Sequence, residues 1–191
     1  MDPLRCTELL GNINDPSAVL ALRRRLGGDF DIDPVDFEWD EVRRRTGRKR
    51  SAEGRVVDLD FTCPMSYEGL LDGDVLAALP GCDFGAKGAV VAVRLLSARV
   101  LRIAAAGTDP LVFARAAWEI GNMHVPVFSA DDGAGLVAPY SEPLARVLAR
   151  IEGLEVVPGF SRLDPAHRLS GNGLSTLVRL APDVKIVVRG S

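Results

Sequence analysis

The strongest constraint on the fold is the order of periodicities between Val90 and Pro158, which passes from strand-like to helical and back twice. Val90 to Ala105 is rich in β-branched and aliphatic residues, broken by Arg94, Arg99 and Arg102, and reads as strand. Thr108-Asp109-Pro110 is a helix start; Leu111, Ala114, Ala117 and Trp118 then recur at helical spacing, and Gly121 supplies a stop. Val125 to Ser129 and Ala134 to Ala138 are short strands around the turn Asp131-Asp132-Gly133. A second helix opens near Ser141, carries Leu144, Val147, Leu148 and Ile151 on one face, and ends at Gly153. Leu154 to Pro158 closes the series as a strand. The resulting β-α-β-β-α-β order predicts a ferredoxin-like domain. Such an order gives a fold class and leaves function to be argued from a site.

Upstream the rhythm differs. Asp15 can cap a short amphipathic helix that begins at Pro16, carries Val19, Leu22 and Leu26, and stops at Gly27-Gly28. Phe30 to Leu79 breaks into short apolar or alternating runs, among them Val35-Asp36-Phe37-Glu38-Trp39 and Val56-Val57-Asp58-Leu59-Asp60-Phe61, which predicts a mostly β region. Leu71-Asp72-Gly73-Asp74-Val75-Leu76 reads as a tight turn into a strand, and Pro80 to Gly88 reads as a linker. The expected architecture is therefore α+β with two domains: a mostly β domain over 1–88, a ferredoxin-like domain over 89–160, and a tail over 161–191 in which Leu177 to Val188 is again strand-like.

Composition excludes several functions. A hydrophobic fraction of 47% with 26% charged residues fits a folded globular chain and not a disordered one. No apolar run approaches the roughly eighteen residues that span a bilayer, and the first residues show no basic and apolar leader, so a cytoplasmic protein without a membrane partner is expected. Cys6, Cys63 and Cys82 form no CxxC pair and read as small buried hydrophobes. Catalytic templates such as GxSxG, HExxH and the P-loop are absent, so hydrolase readings lose ground. The carboxylates Asp29, Asp31, Asp33, Asp36, Glu38, Asp40 and Glu41 read as a solvated face. The basic run Arg43-Arg44-Arg45-Thr46-Gly47-Arg48-Lys49-Arg50 raises nucleic-acid binding. Against it stand the net charge of -3 and the nearby Asp40, Glu41 and Glu53. A solvated hairpin rim, or a docking surface for an acidic protein, is the better reading, and no nucleic-acid partner is expected.

Histidine is the scarcest reactive residue, present only as His124 and His167. One chain cannot build a three-histidine site. His124 follows a helix stop and precedes a strand, so its ring can leave the surface, and a two-fold axis nearby would bring two imidazoles together. Met123 and Trp118 would supply apolar surface for such a contact.

With these residues laid out, the chain resembles the urease accessory protein UreE family, over nearly its whole length. Phe37 to Arg45, Arg48-Lys49-Arg50, Glu53-Gly54-Arg55-Val56-Val57 and Leu71 to Leu76 resemble the family's β domain. Ala116 to Pro126, with Gly121-Asn122-Met123-His124, is similar to the helix-to-strand segment that ends in Gly-Asn-Arg-His in the family. Ser161 to Leu169 and Asp183 to Val188 resemble the tail of members without a polyhistidine extension. The resemblance implies a homodimer in which His124 of each protomer meets at the dimer axis and holds one nickel ion, with zinc able to take its place. His167 is a candidate additional ligand. It further implies nickel delivery through the accessory GTPase UreG to apo-urease in its maturation complex, with no catalysis by this chain. The alternative is a metal-independent adaptor of that complex. Met123 stands where the family has arginine, and no histidines occur near Tyr140 to Pro143.

Overall fold

The structure is a computed structural model and describes residues 2–63, 69–81, 87–107, 109–130, 133 and 135–169. Cys82, Thr108, Asp131, Asp132 and the strand expected over Leu177 to Val188 lie outside these. The protein is α+β, and the chain divides into two compact units between Leu96 and Ser97.

The first unit contains β1 (Leu4–Cys6), α1 (Pro16–Leu26), β2 (Phe30–Phe37), β3 (Thr46–Arg50), β4 (Val56–Asp60), β5 (Val75–Leu79) and β6 (Gly88–Leu95). They build two three-stranded sheets, ordered β1-β4-β3 and β2-β6-β5. Period-two alternation turns Val57 and Leu59 of β4, Val35 and Phe37 of β2, and Val91, Val93 and Leu95 of β6 into one shared core, where all are buried. The opposite face of β6 carries Val90, which packs with Val75 against Leu22 of α1. Helix α1 is thus seated on the second sheet, with Leu22 only 2% exposed. Its limits follow the expected signals, since the Asp15 carboxylate accepts the Ser17 N–H and Gly27 ends it with φ 76°.

Three findings differ from the sequence reading of this unit. Val90 to Ala105 is two strands, because β6 is buried on both faces and so reads as an unbroken apolar run into the next strand. As β6 pairs with β2 and β5, the division falls at Leu96/Ser97 rather than near Gly88. Asp33, expected on a solvated face, is 1% exposed. Its carboxylate accepts from the Arg55 guanidinium at 2.5 Å and the Glu53 N–H at 2.9 Å, hooking the β3–β4 connection onto β2. The parallel pairing of β1 with β4 was not anticipated.

The basic run lies along β3 and the turn before it, and several of its charges have local partners. Arg48 forks onto Asp58, Lys49 reaches Glu41 at 2.6 Å, Arg44 lies 3.6 Å from Glu41, and Arg50 donates to the Gly54 carbonyl. This agrees with the solvated rim.

The second unit contains β7 (Ala98–Ala105), α2 (Pro110–Asn122), β8 (Phe128–Ser129), β9 (Leu136–Pro139), α3 (Glu142–Leu148) and β10 (Leu154–Ser161). One antiparallel sheet runs in the order β10-β7-β9-β8. Leu101, Ile103, Leu136 and Ala138 from the sheet meet Ala116 and Ile120 of α2 and Leu144 and Leu148 of α3 in a second core. Helix α3 stops at Leu148, short of Gly153, and Ile151 closes a turn onto the Leu148 carbonyl. Strand β10 runs past Pro158 to Ser161; it lies at the edge of the sheet, where a missing N–H is tolerated. Beyond it, Leu163 is buried, Pro165–His167 form a short 3-10 helix capped by Asp164, and Arg168 bridges to Phe128 on the β8 edge.

Candidate metal centre

The site is built at the C-terminal end of α2. Asp109 starts the helix by accepting the Leu111 N–H at 2.9 Å, and Pro110 occupies the first turn, where no N–H is needed. One face of the helix enters the core through Ala116 and Ile120. The outward face carries two large apolar side chains, Leu111 and Trp118, two turns apart and 63% and 69% exposed, with the polar Arg115 and Asn122 beside them.

The helix ends at Asn122 in a Schellman arrangement, one residue beyond the stop expected at Gly121. The His124 N–H donates to the Gly121 carbonyl at 3.0 Å, and the Val125 N–H reaches back to the Ile120 carbonyl at 3.2 Å. His124 is the left-handed residue of this motif, with φ 53°, and among the described residues it is the only non-glycine with positive φ. Glycine ordinarily takes that position, because a left-handed backbone costs an L-residue roughly 1–2 kcal/mol. Sequence reasoning found His124 but missed this backbone; the signal lay in the apolar pair Ile120 and Val125 flanking the polar Asn122 and His124. The imidazole is exposed at the corner between α2 and β8.

His167 is also exposed, but the fold does not bring it beside His124 of the same chain. In the antiparallel bridge Phe128–Arg168, His167 stands opposite Ser129, whose hydroxyl donates to the His167 carbonyl at 3.4 Å. Leu169 lies on the other side of the bridge, where its N–H donates to the Val127 carbonyl at 2.8 Å. The two histidines are thus at opposite ends of the Val125 to Ser129 segment. Among the described residues no three His, Cys, Asp or Glu side chains gather where they could hold a metal ion. Cys6 is buried, and that burial pushes its thiol up to about 11, so it is inert as a ligand near neutral pH. What the end of α2 offers is one exposed imidazole, a borderline ligand suited to nickel or zinc, on a helix that also exposes Leu111 and Trp118.

No model of a protein family matches the chain. It is 29% identical over 147 residues to the urease accessory protein UreE of Helicobacter hepaticus, which covers 77% of this chain and 74% of that protein. The UreE proteins of Helicobacter pylori and Helicobacter acinonychis are 26% identical over 185 residues, covering 95% of this chain and 97% of theirs. The chain is a relative of the urease accessory proteins named UreE.

The UreE relatives bear the name of accessory proteins rather than of catalysts, in agreement with the expectation that this chain is not an enzyme. Met123, which stands where the UreE resemblance has arginine, packs its side chain against the second core with Phe113 and Val125. No helix among the described residues is long and apolar enough to cross a membrane.

Proposed function

We propose that the chain is a cytoplasmic urease accessory protein, a homodimeric carrier that holds one nickel ion between the His124 imidazoles of two protomers, with zinc able to take its place. In this reading the second unit is a ferredoxin-like domain that pairs with its copy through the exposed face of α2. The observation that carries the proposal is the exposed histidine at the left-handed end of a helix that also exposes Leu111 and Trp118. Covering that face with a second copy places one histidine from each chain near a shared axis. Two imidazoles leave two to four coordination positions for water or for groups of the receiving protein. A site so open releases its ion, as delivery to apo-urease through the accessory GTPase UreG demands. His167, facing Ser129, ranks behind His124 as a ligand.

Calorimetric titration with nickel tests this. Saturable binding of one ion per two chains, abolished in His124→Ala, is the expected result. Undiminished binding by His124→Ala would remove the site, and a wild type that binds no nickel would favour the metal-independent adaptor.

A further inference from the structure

The geometry points to Ile120 and Val125 as positioning residues for the His124 imidazole. They close the end of α2 into a clasp that sets the ligand before an ion arrives. The inference rests on the reading of His124 as a ligand. Two hydrogen bonds bracket residue 124: its own N–H to Gly121 and the Val125 N–H to Ile120, at 3.0 and 3.2 Å. A histidine free to choose leaves the left-handed region, so these bonds must be held shut by something other than its own preference. The apolar contact that closes a Schellman motif joins the residues on its outer bond, and here those are Ile120 and Val125. Ile120 is 1% exposed in the second core, and Val125 packs onto the same cluster. Two residues further on, the Val127 carbonyl is held by the Leu169 N–H, so the chain leaving the clasp is anchored as well.

The consequence is a ligand whose backbone order is established in the metal-free protein. Side chains that adopt their bound geometry in advance lose less freedom on binding. Loosening the clasp without touching His124 should therefore weaken nickel binding while leaving the ligand in place.

The test compares Val125→Gly, which keeps the amide but removes the apolar half of the contact, with the conservative Val125→Ile, in the full-length chain. Nickel affinity should fall about tenfold in Val125→Gly and stay at the wild-type value in Val125→Ile. In the metal-free protein, the amide-to-α-proton coupling of His124 and the hydrogen exchange of the Val125 amide should show the left-handed turn lost in the first and kept in the second. Should Val125→Gly fail to fold, Ile120→Val trims the same contact by one methylene and should weaken binding a fewfold. Wild-type affinity with an opened turn overturns the positioning role alone. Undiminished binding by His124→Ala in the same series overturns the ligand reading and this inference together.

Discussion

His124 occupies a backbone position that most helix ends give to glycine, and that conflict makes its two properties separable. His124→Gly should stabilise the metal-free protein by about 1 kcal/mol in urea denaturation, because the left-handed backbone is no longer strained, and should bind no nickel. A variant less stable than wild type would show that the imidazole holds the fold. Asp33 illustrates the reverse case, a polar residue kept for structure. Burial pushes its carboxyl up, but hydrogen bonds from Ser51, the Glu53 N–H and Arg55 outweigh that and hold it below its ordinary value of 3.8. A carboxyl depressed in the folded state contributes stability above its unfolded value, and loses it as pH falls through the folded one. Asp33→Asn should therefore lower stability by about 1–3 kcal/mol at neutral pH, with the gap to wild type narrowing below pH 3.8 in pH-dependent urea titrations. Scarcity and its place after a helix drew attention to His124, and the UreE resemblance is what made it the ligand. Sequence reasoning misplaced Asp33 among solvated carboxylates, because the partner that buries it, Arg55, is distant in sequence and reaches it only through the β3–β4 turn.

Elements were legible where their ends carry chemistry. Helix α1 begins and stops at the residues its Asp15 cap, Pro16 and Gly27 announce. Helix α2 does not stop at its glycine, because the Gly121 carbonyl is needed inside the terminal clasp and a histidine takes the left-handed place beyond it. The merging of β6 with β7 has a different cause: a strand buried on both faces loses the alternation that marks its limits, and the break at Leu96 and Ser97 carries no glycine or proline. Helix α2 is also where self-association should be decided. Trp118→Glu puts a charge on its exposed face and touches no core position, so folding should be intact while the dimer weakens at least thirtyfold, about 2 kcal/mol for a central aromatic contact. Sedimentation velocity at micromolar concentration should find a dimer in the wild type and a monomer in the variant; a dimeric variant would place the interface elsewhere.

At the scale of the molecule, the two units differ in what they carry. The first pairs its basic run with Asp58, Glu41 and the Gly54 carbonyl. The second carries both histidines and exposes Leu111 and Trp118 on α2. The order of elements in the second unit could be read from periodicity alone. The separation of its two histidines could not, since it depends on the Phe128–Arg168 bridge, which joins segments far apart in sequence. In the proposed reading the stoichiometry of binding likewise lies beyond one chain, because each would supply only the His124 imidazole. Native mass spectrometry of the full-length protein, with one equivalent of nickel per two chains and with His124→Ala in parallel, tests this most directly. The account predicts a wild-type dimer that gains one nickel ion and a variant that gains none. One ion on each monomer, or equal uptake by the variant, would contradict it.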